Sequence, residues 1–71
     1  MNKGDIVVLK SGGPEMTIKR IIGDENSNTK EKQSDKLLLL NGYDIGDLLC
    51  EWFDKNELKS NIFKQNSLKL K

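Results

Sequence analysis

Residues 4–18 decide the fold, and they read Gly-Asp-Ile-Val-Val-Leu-Lys-Ser-Gly-Gly-Pro-Glu-Met-Thr-Ile. Residues 5–10 predict a β-strand, because Val and Ile are stiff at χ1 and fit a pleated sheet. Residues 11–14 are typical of a turn, since glycine permits positive φ and proline cannot donate a ladder hydrogen bond. Residues 16–19 then alternate as the returning strand, which we extend to Ile22. This stretch predicts an antiparallel hairpin.

The polar segment 24–36 separates this hairpin from the rest of the chain. It contains no apolar side chain, so the sequence predicts a surface loop, ordered or disordered. A short helical turn is the alternative, but it would lack an apolar face. The run from Leu37 to Leu40 fits a strand or a helix, and the turn signal Asn41-Gly42 after it favours a short strand.

The C-terminal half adds short strands that alternate in the same way. Asn41 to Asp47 is turn-like, and the segment 54–57 is a four-residue connection. The predicted strands lie at residues 48–53, 58–63 and 68–70, with a single 3₁₀ turn at 64–67 before the last.

These elements predict an all-β fold: a small SH3-like barrel of five to six short antiparallel strands with a long polar loop at 24–36. The chain has 71 residues, which is one domain, residues 1–71. A flat sheet would leave two edges and one apolar face in water, so a closed arrangement is favoured. The predicted core residues are Val7, Leu9, Met16, Ile18, Leu48, Cys50, Trp52, Phe63 and Leu68.

Charge is balanced overall and uneven along the chain. The net charge is +1, and a single arginine stands among the twelve cations. Residues 37–54 hold four acids and no cation, whereas residues 55–71 hold five lysines and one acid. Cross-strand pairing explains this distribution better than a dedicated binding patch. Arginine contacts bases and phosphates through two parallel hydrogen bonds, so a chain with one arginine is poorly suited to recognise specific bases. Its lysines can still contact phosphate.

The chemistry of sites is sparse. The chain has no His and one Cys, so we expect no metal and no cofactor. The Gly-Gly-Pro turn lacks the Gly-Lys-Ser/Thr ending of a phosphate cradle. Acids at 44, 47, 51 and 54 do not have calcium-loop spacing. A barrel this small leaves little room for a dry cleft, so we expect no enzyme.

No run of apolar residues is longer than four, and a signal peptide or membrane span needs far more. With the lone Cys50, this favours a cytoplasmic protein without a membrane partner.

The Lys-Ser-Gly-Gly-Pro-x-Met-Thr turn and the downstream Cys50-Glu51-Trp52-Phe53-Asp54, followed by Leu58-Lys59, Phe63 and Leu68, resemble the YodC-like family of small uncharacterised bacterial proteins. The resemblance covers residues 3–19 and 48–70. It implies a small β-barrel of bacterial or phage origin and no known activity. Typical members join the two matching parts by a much shorter link, so residues 20–47 are interpreted as an insertion.

Two functions remain open. The first is a non-catalytic interaction module that recognises a protein segment or nucleic acid through its loops and a strand edge. The second is an oligomeric small-molecule or nucleotide binder with an intersubunit pocket, assembled as a homo-oligomer through Leu37 to Leu40. The candidate partner contacts are Tyr43, Phe53, Lys55, Lys59 and Lys64.

Overall fold

Five antiparallel strands form one sheet in the computed structural model, which describes residues 1–24 and 27–71. The order across the sheet is β4-β3-β2-β1-β5, so the last strand returns to pair with the first. This small β-dominant fold of five antiparallel strands confirms the predicted all-β class. The elements are β1 (Ile6–Leu9), β2 (Met16–Ile21), helix α1 (Thr29–Leu40), β3 (Leu48–Asp54), β4 (Glu57–Phe63), a 3₁₀ turn (Gln65–Ser67) and β5 (Leu68–Leu70).

Two hairpins build most of the sheet, and their turns differ. β1 pairs with β2 around the glycine turn, where Gly12 and Gly13 both have positive φ. β3 pairs with β4 through only two residues, Lys55 (φ 50°) and Asn56 (φ 69°). Two consecutive left-handed residues are the mark of a type I′ turn, whose twist matches that of the flanking strands. The four-residue connection predicted at 54–57 is therefore two residues shorter.

The core lies on the inward face of the sheet. Six of the nine predicted core residues are buried, with at most 2% of the surface exposed, and the other three pack against them partly buried. Trp52 is one of these three, and its ring lies 6.3 Å from that of Phe63 in a tilted contact. Ile22 is also fully buried, although the sequence did not single it out. The six buried residues are Val7, Met16, Ile18, Leu48, Cys50 and Leu68, and the partly buried ones are Leu9, Trp52 and Phe63.

Helix α1 contradicts two predictions. The prediction of a polar loop at 24–36 is wrong from Thr29 onward, and the prediction of a strand from Leu37 to Leu40 is wrong. Residues 29–36 and 37–40 belong to one helix of twelve residues. Residues 25–26 of the predicted loop lie outside the described residues. A capping box begins the helix: Asn28 Oδ1 accepts from the Glu31 N–H at 2.9 Å, and Glu31 Oε1 accepts from the Asn28 N–H at 3.1 Å.

A charged face rather than an apolar one holds α1 to the sheet. Asp35 is 2% exposed. Its carboxylate accepts a hydrogen bond from Arg20 Nη2 at 2.5 Å and one from the Gly23 N–H at 2.9 Å. Arg20 Nη2 also donates to the Glu31 carbonyl at 3.2 Å, and Arg20 Nε forms an ion pair with the Glu31 carboxylate at 3.0 Å without hydrogen-bond geometry. The absence of an apolar face in residues 29–36 therefore did not prevent a helix, because a buried arginine–carboxylate cluster took its place.

In the described part of the chain, no helix is long and apolar enough to cross a membrane.

Candidate functional site

A groove of about 300 Å³ lies beside the β3–β4 hairpin on the sheet. Strand β2 supplies one side of it, and the ends of β3 and β4 supply the other. Its lining combines apolar and aromatic surface with two carboxylates. The lining residues are Glu15, Thr17, Glu51, Trp52, Phe53 and Leu58.

Strand register places the apolar part of the groove. Phe53 on β3 is paired directly with Leu58 on β4, and Glu51 on β3 with Thr17 on β2. Because side chains alternate along a strand, Phe53 and Glu51 point to the face opposite the one buried by Cys50. Phe53 is 74% exposed and Leu58 is 58% exposed. A cross-strand aromatic–aliphatic pair of this size in water is a candidate contact surface.

The two carboxylates give the groove a negative edge. Glu15 pairs with Lys71 at 2.5 Å, and Glu51 pairs with Lys19 at 3.5 Å. Both lysine side chains are more than half exposed. Exposed ion pairs contribute about 0–1 kcal/mol, so a ligand cation can share or replace these lysines at little cost. The arrangement suits an apolar side chain next to a cation, which the exposed Phe53 ring would also attract.

Of the five candidate contacts predicted from the sequence, Phe53 lies in the groove. Lys55 is exposed in the adjacent type I′ turn. Lys59 sits opposite Trp52 in the ladder, on the other face from Leu58, and its ammonium lies 3.6 Å from the Glu57 carboxylate. The structure therefore places two of the five at this end of the sheet and turns a third away from the groove.

Lys64 lies in a separate polar cluster. Its ammonium donates to Asp44 Oδ2 at 2.6 Å and to Asp47 Oδ2 at 2.8 Å, and the Asp44 N–H donates to Asp47 at 2.9 Å. Burial raises the pKa of Asp47, but the hydrogen bonds from the Asp44 N–H and from Lys64, with the lysine charge, outweigh it and lower that pKa. The same two carboxylates raise the pKa of Lys64 against a smaller effect of burial. Lys64 thus holds the loop between α1 and β3 through hydrogen bonds to Asp44 and Asp47. Tyr43 is exposed in that loop and does not line the groove.

Sequence reasoning missed Leu58 and the two glutamates of the groove. A signal for Leu58 was available. A two-residue turn at Lys55-Asn56 pairs Phe53 with Leu58 and places both on one face. The predicted strands 48–53 and 58–63, joined by residues 54–57, imply the same pairing, so the sequence already contained it. Glu15 had no such signal, since it precedes β2 and reaches the groove only through the path of the chain.

Two other cavities of similar size, 290 and 300 Å³, occur among the described residues. The first is bordered by Asp47 and Lys64, which already neutralise each other. The second lies beside α1 and includes Asp35, whose carboxylate is already satisfied by Arg20 and Gly23. Volume does not separate the three cavities, and the groove is favoured because it holds the exposed cross-strand pair Phe53–Leu58.

Cys50 is fully buried in the core. Burial raises the pKa of its thiol, so the reactive thiolate is disfavoured at neutral pH.

The fold and the groove define a small antiparallel β domain that carries an exposed aromatic–aliphatic surface on its longest hairpin. The chain belongs to a family described as an uncharacterized small protein (DUF2158), whose model matches residues 2–68. The resemblance seen in the sequence, to a family of small uncharacterised proteins, agrees with this match. A search of the curated proteins gave no match, and neither did a search of the solved structures.

Proposed function

We propose that this protein is a non-catalytic interaction module that binds a protein segment in the groove beside its β3–β4 hairpin. The observation that carries the proposal is the Phe53–Leu58 pair, exposed on the face that also bears Glu51. The segment it fits presents an apolar side chain next to a lysine or arginine. The apolar side chain would cover the Phe53–Leu58 pair, and the cation would meet the carboxylates and ring faces.

A protein segment is favoured over nucleic acid by how the C-terminal lysines are used. Three of the five lysines in residues 55–71 form ion pairs within the chain: Lys59, Lys64 and Lys71. The phosphate backbone is bound through several free cations that displace its counterions. With these three lysines paired inside the chain, the segment offers a phosphate backbone fewer free cations than its sequence suggests.

The size of the groove sets the expected strength. A volume of about 300 Å³ is at the lower end of ligand sites and holds one or two side chains. Binding through so small a surface is expected to be weak, with a Kd on the order of 10–100 μM.

We also propose that the family shared by this chain is the YodC-like one that its sequence resembles, and that the protein works in the cytoplasm. The single, buried, unpaired Cys50 supports that compartment.

The experiment is selection of a displayed library of random peptides against the protein. The same selection is run against the double variant Phe53→Thr/Leu58→Thr, which lacks the apolar pair but keeps residues suited to a strand. The control is Leu70→Thr, which replaces another exposed leucine (56%) on β5, at the opposite edge of the sheet. Circular dichroism establishes that all three proteins fold alike.

We expect the wild type and Leu70→Thr to enrich the same peptides, with an apolar residue next to Lys or Arg, and the double variant to lose them at least 10-fold. Equal enrichment by the double variant would show that the groove is not the site. Retention on heparin at low salt that survives the double variant would instead favour a polyanion partner.

A further inference from the structure

Helix α1 turns its leucines toward water at its C-terminal end. Leu37 is 63% exposed and Leu40 is 78% exposed. The side of the helix that faces the sheet carries Glu31 and Asp35 instead, which are held by Arg20. A helix that binds its own sheet through charges and shows leucines to solvent has the reverse of the usual amphipathic arrangement.

Lysines flank the exposed leucines. Lys36 precedes Leu40 by four residues, and Lys30 precedes Leu37 by seven, so each lysine lies on the same side of the helix as a leucine. Both lysines are exposed, and neither has an ion-pair partner among residues 1–24 and 27–71. The outer face of α1 is therefore apolar with a positive border.

This face is complementary to the groove. The groove offers Phe53 and Leu58 as apolar surface, and Glu15 and Glu51 as negative charge. The helix offers leucines as apolar surface and free ammonium groups as positive charge. The ligand proposed for the groove, an apolar side chain next to a cation, is thus present on the chain itself.

The helix and the groove of one chain lie at different ends of β3. Arg20, which anchors the helix, is paired with Leu49, whereas the groove is built around Phe53. Four residues of strand separate these positions by about 13 Å. Asp35 holds the helix at the Leu49 end of β3, away from the Phe53 end, which favours contact between the leucines and a groove on another molecule.

We propose that the outer face of α1 docks into the groove of a second copy of this chain. This inference rests on the proposed function, and it names the partner. The interface is heterologous, since one copy contributes the helix and the other contributes the groove. Repetition of such a contact produces open chains or closed rings rather than a dimer that stops at two.

The experiment is sedimentation of the purified full chain over concentrations from about 10 μM to about 1 mM, a range suited to a small interface. The helix variant is Leu37→Gln/Leu40→Gln, which keeps good helix formers and removes the apolar surface. The groove variant is Phe53→Thr/Leu58→Thr. Leu70→Thr is the control, and the circular dichroism of each variant is compared with that of the wild type.

We expect the mass of the wild type and of Leu70→Thr to rise with concentration beyond that of a dimer. Each double variant alone should stay monomeric, with association weakened at least 10-fold. A mixture of the two should form a 1:1 complex and stop there, because it contains one intact helix face and one intact groove.

A wild type that stays monomeric at about 1 mM overturns the inference. A groove variant that associates like the wild type also overturns it. Association would then not need the groove, and the leucines of one helix would pack against those of another helix. If the wild type is monomeric but library peptides still bind the groove, self-association fails and the proposed function stands. If the groove also binds no peptide, both fail.

Discussion

The anchor of helix α1 gives the sharpest prediction, because Asp35→Ala removes one carboxylate on which two elements depend. After this change the Gly23 N–H and Arg20 Nη2 no longer have the Asp35 carboxylate as hydrogen-bond acceptor. Among the described residues, Arg20, whose side chain is 15% exposed, then keeps Glu31 as its one remaining partner. We expect the helix to separate from the sheet while the sheet itself stays folded.

The magnitude follows from these contacts. A partly buried N–H that loses its acceptor costs about 1–2 kcal/mol. Breaking a buried ion pair costs about 3–5 kcal/mol, and the remaining contact with Glu31 reduces that to about 1–2 kcal/mol here. The total of about 2–4 kcal/mol is large for a helix of twelve residues, since an undocked helix of that length is marginal in water.

Two signals separate the helix from the core. Ellipticity at 222 nm and amide exchange at residues 29–40 report on α1, whereas Trp52 fluorescence reports on the rim of the core, where Trp52 packs beside Phe63. Asp35→Ala should lose helical ellipticity and exchange protection, with the fluorescence and its urea midpoint nearly unchanged. Asp35→Asn, which keeps an acceptor oxygen, should lose less.

Lys36→Ala is the matched control, because it changes an exposed neighbour on the same helix. It should leave both signals as in the wild type. If Asp35→Ala kept full protection of residues 29–40, the charged cluster would not be the anchor. If ellipticity and fluorescence were lost in one transition, the helix would be part of the core rather than separately docked.

Three further predictions concern turns and titration. Asn56→Gly should raise the urea midpoint by an amount equivalent to about 0.5–1 kcal/mol, because a residue at φ 69° gains from glycine in a type I′ turn; a lower midpoint would contradict that geometry. Gly23→Ala should lower the free energy of unfolding by about 1–2 kcal/mol, because φ of Gly23 is +79° and a Cβ there would lie 3.0 Å from Ile45 Cγ1. An unchanged melting temperature would mean that the segment around Ile45 moves aside without cost. The pKa of Asp47 is lowered in the folded state from its ordinary value of 3.8. The ionised carboxylate therefore stabilises the fold fully when the pH is above 3.8, and this stabilisation is lost as the pH falls through the lowered pKa. The urea midpoints of wild type and Asp47→Asn should therefore differ at pH 7 and converge as the pH is lowered below 3.8. A difference that stays constant would exclude the pairing with Lys64 as its source.

The sequence determined the sheet, because its determinants are local. Alternation with period two and Gly-Gly-Pro turn chemistry located the first hairpin, and the same alternation placed Leu48 and Cys50 in the core. The 3₁₀ turn also needs only neighbouring residues, and it was predicted at 64–67 and found at Gln65–Ser67.

The tertiary structure decided the helix and the groove, because both depend on partners distant in the chain. The segment 29–36 lacks the apolar face by which a helix is recognised, and what holds it is Arg20, fifteen residues before Asp35. The groove likewise joins Glu15 to Phe53 and Leu58 through strand register. A one-dimensional pattern records which residues are apolar, but a buried charge pair and a cross-strand surface exist only after the chain has brought their parts together.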